Sequence, residues 1–329
     1  MKIAMGTLLS VLCLAAALTG SPLSASAQDR YPIATFTFPS VTNTYADIIF
    51  AKGFDKANGL RAQPVTYGTG AALWAGLASG EIVVHNMSPF LLQKMRSDGI
   101  ELEMFATFLG MGWSIVTTNP AIKNFADLKG KSIAAIVAFS GFDYLQIYAK
   151  KLGINLRKDM SIVDATNVLM VAQLEAGRVD AIQAYEPNTT MLLKKNPKAR
   201  IVLSGVDAWK AVTGDLGWDL GLVIRTDYLK KNPGVLPRIL KMYRDAATFA
   251  NSNPDEADVI VTSGKYFTKG IPPGTITAAI KEKRLILEVT PTWNPATNGQ
   301  IWKMLQAGLE GGYIPALPAK QAVVSVAPK

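Results

Sequence analysis

The chain has 329 residues, a single cysteine and a formal net charge of +9. A chain of roughly 300 residues can stand on its core alone, as two domains or one large one, and one cysteine excludes a disulfide framework. The positive excess is dispersed: Lys150-Lys151, Lys194-Lys195 and Lys230-Lys231 lie near predicted helix ends, where cations complement the helix dipole, and no clustered patch points to nucleic acid.

Residues 1–27 carry one charge, Lys2, then an apolar run over 3–18, then Ser24-Ala25-Ser26-Ala27. This is the pattern of a secretory signal cut before Gln28. The apolar run is too short and too closely followed by small residues to be an anchor, and no later segment reaches the roughly 20 apolar residues of a membrane span. Leu12 stands before Cys13 where lipoprotein signals carry a small residue. The expectation is a soluble, exported chain whose mature form has no thiol.

Strands are predicted over 33–38, 61–67, 82–84 and 102–108, and helices over 45–57, 71–78 and 90–96, with Asn58-Gly59 and Ser79-Gly80 as stop signals. A second block follows Asn119-Pro120 and a polar turn at Asp127-Leu128-Lys129-Gly130-Lys131. Its strands fall at 132–137, 161–164, 179–185 and 200–203. Its helices fall at 141–152, 168–176 and 189–195, the second closed by Gly177. A strand at 220–225 leads back, and the remainder reads as helices over 235–251, 255–263, 275–285 and 298–310, ahead of a tail rich in Pro and Ala from Pro315. Strands alternating with helices predict α/β layers with mostly parallel sheets.

The motifs Gly70-Ala71-Ala72, Ala78-Ser79-Gly80-Glu81-Ile82, Ser88-Pro89-Phe90-Leu91, Asp127-Leu128-Lys129-Gly130-Lys131 and Ala176-Gly177-Arg178-Val179-Asp180-Ala181 with Glu186-Pro187 fall in this order behind the export signal. Each is weak alone. Together, over about Pro32 to Pro315, the chain resembles the substrate-binding proteins of ABC importers, in the nitrate/sulfonate/taurine group that is similar to the thiamin-pyrimidine synthesis (NMT1/THI5-like) proteins. The resemblance implies the two-lobe periplasmic-binding-protein fold of type II, with crossing segments expected near 112–118 and 220–226. Residues 28–115 and 226–329 would then form a discontinuous first lobe, and 116–225 the second. It further implies a monomeric periplasmic carrier that passes a small solute to a permease and ATPase complex at the inner membrane, without a cofactor. A soluble receptor that presents its ligand to a sensor is the alternative partner reading.

The residues offer little to an enzyme. His85 is the one histidine, so any Ser–His triad would have to use it, and metal sites of the zinc type want several His, Cys or acid ligands at set spacing. The mature chain has no G-x-S-x-G and no S-x-x-K, and Gly68-Thr69-Gly70 lacks the third glycine of a dinucleotide fingerprint. The synthases that share the resemblance depend on a histidine and a cysteine-rich segment, and this chain has no cysteine-rich segment.

In open α/β sheets, ligands sit beyond the carboxyl ends of the strands. That rule selects Phe38, Ser40 and Thr42 after the first strand, Tyr67, Thr69, Gly70 and Ala71 after the second, Asn86 and Ser88 after the third, and Gly112 and Trp113 after the fourth. The second block supplies Phe139, Ser140, Gly141 and Phe142, then Asn167, then the Tyr185-Glu186 pair at the end of a buried strand. Glu186 reads either as a cleft carboxylate or as a first-turn acid favouring the helix after Pro187. Trp113 reads equally as core or as cleft; Trp74 reads as core, on one stripe with Leu77.

The helix N-termini at Gly70 and Gly141 favour an anionic group. These loops contain no Arg or Lys, but they hold acids, Glu186 first and Asp143, Asp215 and Asp219 as further candidates, and several aromatic residues. Aromatic faces with a carboxylate suit a cation or a flat ring. The expected solute is a sulfonate or aminosulfonate; a nitrogen heterocycle or thiamin-pyrimidine precursor is the alternative, and both rank above an inorganic anion.

Overall fold

The computed structural model describes residues 29–318; the proposed signal and the end of the Pro- and Ala-rich tail lie outside the described residues. The chain begins with β1 (Asp29–Phe36), α1 (Val41–Lys52), α2 (Phe54–Ala57), β2 (Leu60–Tyr67), α3 (Gly70–Ser79), β3 (Val84–Met87), α4 (Pro89–Ser97) and β4 (Leu102–Gly110). It continues with β5 (Trp113–Thr117), β6 (Ser132–Ala135), α5 (Ser140–Lys151), α6 (Leu156–Asp159), β7 (Ser161–Asp164), α7 (Asn167–Glu175), β8 (Ala181–Tyr185), α8 (Asn188–Lys195), β9 (Arg200–Ser204) and α9 (Gly205–Thr213). It ends with β10 (Trp218–Arg225), α10 (Thr226–Lys231), α11 (Val235–Ser252), α12 (Pro254–Thr262), α13 (Thr275–Lys281) and α14 (Pro295–Gly311).

Local chemistry sets the element ends that matter for the site. Ser40, Thr69 and Ser88 stand before α1, α3 and α4, and each side-chain oxygen accepts a backbone N–H of the first turn: Thr42 at 3.3 Å, Ala72 at 3.1 Å and Leu91 at 3.1 Å. These are the orphan donors that a helix start leaves over. Asn43 closes the β1–α1 loop from inside: its amide donates to Phe36 O at 3.0 Å and accepts from Phe36 N at 2.9 Å. Gly177, at φ 68°, ends α7 in the left-handed conformation expected of a glycine there.

The strands form a pair β1-β2, a three-stranded sheet β3-β10-β4 and a five-stranded sheet β7-β6-β8-β5-β9. The pairing is mixed, which corrects the expectation of mostly parallel sheets. β1 runs parallel to β2, and β6 parallel to β7 and β8. Every antiparallel pair involves β5 or β10. Those two strands bring the chain from one sheet to the other, so no βαβ crossover dictates that they run parallel to their neighbours.

The chain passes twice between the three- and five-stranded sheets. β4 ends in the three-stranded sheet and β5 begins in the five-stranded one, with Met111-Gly112 between them. β10 pairs with β3 and β4 along its length. The chain therefore passes from β9 of the five-stranded sheet through α9 to β10 of the three-stranded sheet.

One apolar core lies under α1, α11, α12 and α13 and contains Ile48, Ile49, Leu222 and Ile239. A second, around Met170, Leu174 and Ile182, backs the five-stranded sheet. The largest runs through both lobes, with Phe90 and Trp113 beside Tyr144 and Trp209. Aromatic side chains of this size bury about 150–250 Å² each, worth several kcal/mol apiece at about 25 cal/mol per Å². The lobes thus share a packed seam.

Candidate ligand-binding cleft

The parallel strands β6, β7 and β8 each run into a helix, so their carboxyl ends lie along one edge of the five-stranded sheet. Along that edge Tyr185 stands directly opposite Trp113 in the β5–β8 register, which puts both side chains on one face. The Tyr185 ring packs over Gly141, where a Cβ would collide with its hydroxyl, and meets Phe139 edge-on with centroids 5.8 Å apart. Gly141 is the residue that lets this ring approach the start of α5. Phe139 is 43% exposed. It caps α5 without a side-chain hydrogen bond, so the first turn keeps backbone donors at Ser140 and Gly141, while Phe142 N–H returns to Phe139 O at 2.9 Å.

Across the seam, β10 contributes Asp219. Trp218 pairs with Gly110 and Leu220 with Leu109, so Asp219 is the extra residue of a bulge. A bulge frees one residue from the ladder and re-aims its side chain. Trp218 is held there by its indole N–H, which donates to Gln300 Oε1 at 2.6 Å. The Asp219 residue is 6% exposed, and burial alone pushes its carboxyl up to about 7. Among the described residues no side chain or backbone group hydrogen-bonds it. Its electrostatic neighbours are the hydroxyls of Tyr144 and Tyr185, both raised well above the usual tyrosine range, first by burial and then by this acid. Both hydroxyls and the Trp113 indole nitrogen are buried without a hydrogen-bond partner. Buried polar atoms are almost always paired, so these three, with a buried acid near the two tyrosines, mark a place shaped for something else.

Of the residues selected from sequence, Phe139, Ser140, Gly141, Trp113 and Tyr185 therefore gather at this cluster. Phe38 lies by the other aromatic wall, stacked on Phe36 at 4.7 Å, with His85 edge-on to Phe36 and 5.6 Å from Trp74. Burial lowers His85 to about 3, so it is neutral, and its Nε2 has no partner. Ser40, Thr42, Thr69, Gly70, Ala71 and Ser88 build helix starts, Asn86 sits in β3 opposite Leu222, and Asn167 opens α7 with its Oδ1 unpaired. Gly112 lies between β4 and β5, and its carbonyl accepts Glu186 N–H at 3.2 Å.

Three selected residues point elsewhere. Tyr67 packs against Gly76 under α3, and Phe142 is fully buried below the guanidinium of Arg157. Glu186 is buried as expected, yet its carboxylate is already taken: Oε1 accepts Arg284 Nε at 2.9 Å and Oε2 accepts Thr190 N–H at 3.3 Å. Burial raises the Glu186 carboxyl while Thr190 and Arg284 pull it back down. Sequence reasoning missed Tyr144, which falls outside the Phe142–Leu145–Ala149 stripe of α5, and named Asp219 only as a further candidate acid. A separate groove of about 460 Å³ with an apolar lining opens between Val168, Met191 and Thr275. It includes none of the clustered groups. Among the described residues no group of His, Cys, Asp and Glu could hold a metal ion, and no helix is long and apolar enough to cross a membrane.

Residues 43–257 match the family model described as NMT1/THI5 like. The taurine-binding periplasmic protein of Escherichia coli strain K12 is 26% identical over 275 residues, spanning 80% of this chain and 82% of that protein. The periplasmic aliphatic sulphonate-binding protein SsuA of Escherichia coli shares the fold with a TM-score of 0.71 at 16% identity, over 88% of this chain and 89% of its own. The periplasmic nitrate-binding protein NrtA of Synechocystis PCC 6803 gives a TM-score of 0.63 at 16% identity, over 88% and 83%. The chain belongs to the NMT1/THI5-like family and is a solute-binding component of the ABC-importer kind, not an enzyme.

Proposed function

We propose that the protein captures a short zwitterion, an amine joined to a sulfonate-type oxyanion, and delivers it to an importer from the periplasm. Asp219 carries this reading. A buried carboxylate without a protein partner is costly, and an ammonium group repays that cost through charge-assisted hydrogen bonds. The uncapped start of α5 at Ser140 and Gly141 suits the oxyanion, since free N–H groups and the helix dipole both favour negative charge there. Tyr185 relates both ends of this arrangement: its ring packs over Gly141, and the charge of Asp219 raises its hydroxyl pKa. The names of the relatives, which include taurine- and sulphonate-binding proteins, agree with the oxyanion. Export would depend on cleavage of the signal over 1–27, leaving Gln28 as the N-terminus of the secreted protein.

Calorimetry with taurine and with ethanesulfonate, which lacks the amine, tests the reading. Taurine should bind, and ethanesulfonate should bind at least ten-fold more weakly. Equal affinities would remove Asp219 from the site, and preference for an aminopyrimidine would move the assignment to a heterocycle carrier. The pH dependence has a definite sign. With its carboxyl raised to about 7, Asp219 of the empty cleft is protonated below that pH. An ammonium partner favours the ionised form, so binding should release a proton below pH 7 and affinity should rise up to about pH 7, then level off. Stability of the empty protein runs the other way. The contribution of a raised carboxyl is fully present below its unfolded pKa of about 4 and is lost as pH climbs through about 7.

A further inference from the structure

Glu186 and Arg284 reach each other from different lobes. Glu186 leaves β8 of the five-stranded sheet and bonds through its N–H to Gly112 between β4 and β5. Arg284 follows α13, in the segment that goes on to bridge β4 at Leu287 and Leu109. Besides the Nε bond to Glu186, Arg284 Nη2 donates to Thr190 Oγ1 at 2.9 Å, and Nη1 reaches Glu282. The guanidinium thus holds Glu186, two residues before α8, and the first turn of α8 with two edges of one rigid plane. The two charged side chains are 1% and 13% exposed. At the far end of α8, Lys194 Nζ donates to Pro273 O at 3.4 Å, just before α13. α8 of one lobe therefore lies against α13 of the other, fastened at both ends.

We propose that the Glu186–Arg284 pair is an interlobe clasp that holds the lobes in the arrangement seen here. A planar guanidinium aimed at two acceptors on one helix turn tolerates little rotation, so a swing of α8 away from α13 breaks both bonds together. Opening would also part Glu186 from its one cationic partner among the described residues, and that cost stays with the open form until water reaches the carboxylate. The clasp is separate from the Asp219 cluster: its acid is satisfied by the protein, so it acts on lobe position and leaves solute chemistry to the other site. It rests on the two-lobe architecture and not on which solute is carried.

Spin labels at Arg61→Cys and Lys129→Cys, one exposed position on each lobe, in a Cys13→Ser background, read the interlobe distance without any ligand. The parent should give one main distance. Glu186→Gln, which keeps shape and one acceptor, should shift and broaden the distribution, and Arg284→Gln should do the same. The double variant Glu186→Gln/Arg284→Gln should shift no further than the larger single, because both remove one contact. Unchanged distances in Glu186→Gln, with the fold intact by circular dichroism, would overturn the clasp, as would shifts that add in the double variant. No solute enters the measurement, so failure of the taurine reading would leave the distances equally informative about the clasp.

Discussion

Glu186 and Asp219 are both buried carboxylates beside the two passages between the sheets, and they are handled in opposite ways. Glu186 has an arginine, a backbone N–H and a place at the start of a helix; Asp219 sits at a bulge with two tyrosine hydroxyls that are themselves unpaired. A satisfied acid of this kind joins parts of a protein, because its charge is already spent on neighbours. An unsatisfied one keeps its charge available and raises its own pKa until a partner arrives. The contrast separates an acid that positions the lobes from one that selects the solute.

The largest test of that contrast is Arg284→Gln. It strands Glu186, and breaking a buried pair by removing one partner costs about 3–5 kcal/mol. Denaturant unfolding should show that loss, and adding Glu186→Gln should recover much of it. If Arg284→Gln unfolds like the parent, the pair is not desolvated as described. Asp219→Asn should behave in the opposite manner. Taurine affinity should fall about 10- to 100-fold, as losing a charge-assisted hydrogen bond of about 1.5–3 kcal/mol requires. The empty protein should melt higher than the parent above pH 7, where the parent must bury an ionised acid. A loss of stability without loss of affinity would make Asp219 a structural residue. The smallest effects belong to Tyr185→Phe and Tyr144→Phe. Each deletes one neutral hydroxyl, so affinity should drop by about 2- to 10-fold, an amount matching about 0.5–1.5 kcal/mol, with little change in melting. A larger drop for Tyr185 than for Tyr144 would sharpen the assignment, since only Tyr185 also contacts the start of α5 through Gly141.

Much of the architecture is legible because it is written in short-range chemistry. The caps at Ser40, Thr69 and Ser88, the stop at Gly177 and the apolar faces of α11 and α14 are decided within a few residues, and the elements fall where those signals stand. β5 and α9 are not legible. The Trp113–Thr117 run reads as a crossing, because nothing local distinguishes a short apolar bridge from a strand that finds partners in β8 and β9. α9 begins with Gly205, a poor helix residue, and owes its place to the Trp113 ring that packs against that glycine. β10 reads as a strand from its own residues, but whether it joins one sheet or the other depends on pairing with residues far away in the chain.

The same division runs through the site. The rule that ligands gather beyond strand ends brings Phe139, Gly141, Trp113 and Tyr185 into view without coordinates. It also selects Glu186, since an acid after a buried strand has the same local pattern whether it meets a solute or an arginine 98 residues away. Tyr144 lies off the stripe that its own helix displays, and becomes buried only because Phe90 from α4 and Trp209 from α9 close over it. By itself the sequence determined the two-block α/β plan, the order of most strands and helices and the loops that could carry a ligand, because caps, turns and hydrophobic period act over a turn or a strand. Only the tertiary structure decided which acid is left without a partner, because burial and pairing depend on side chains that arrive from the other lobe.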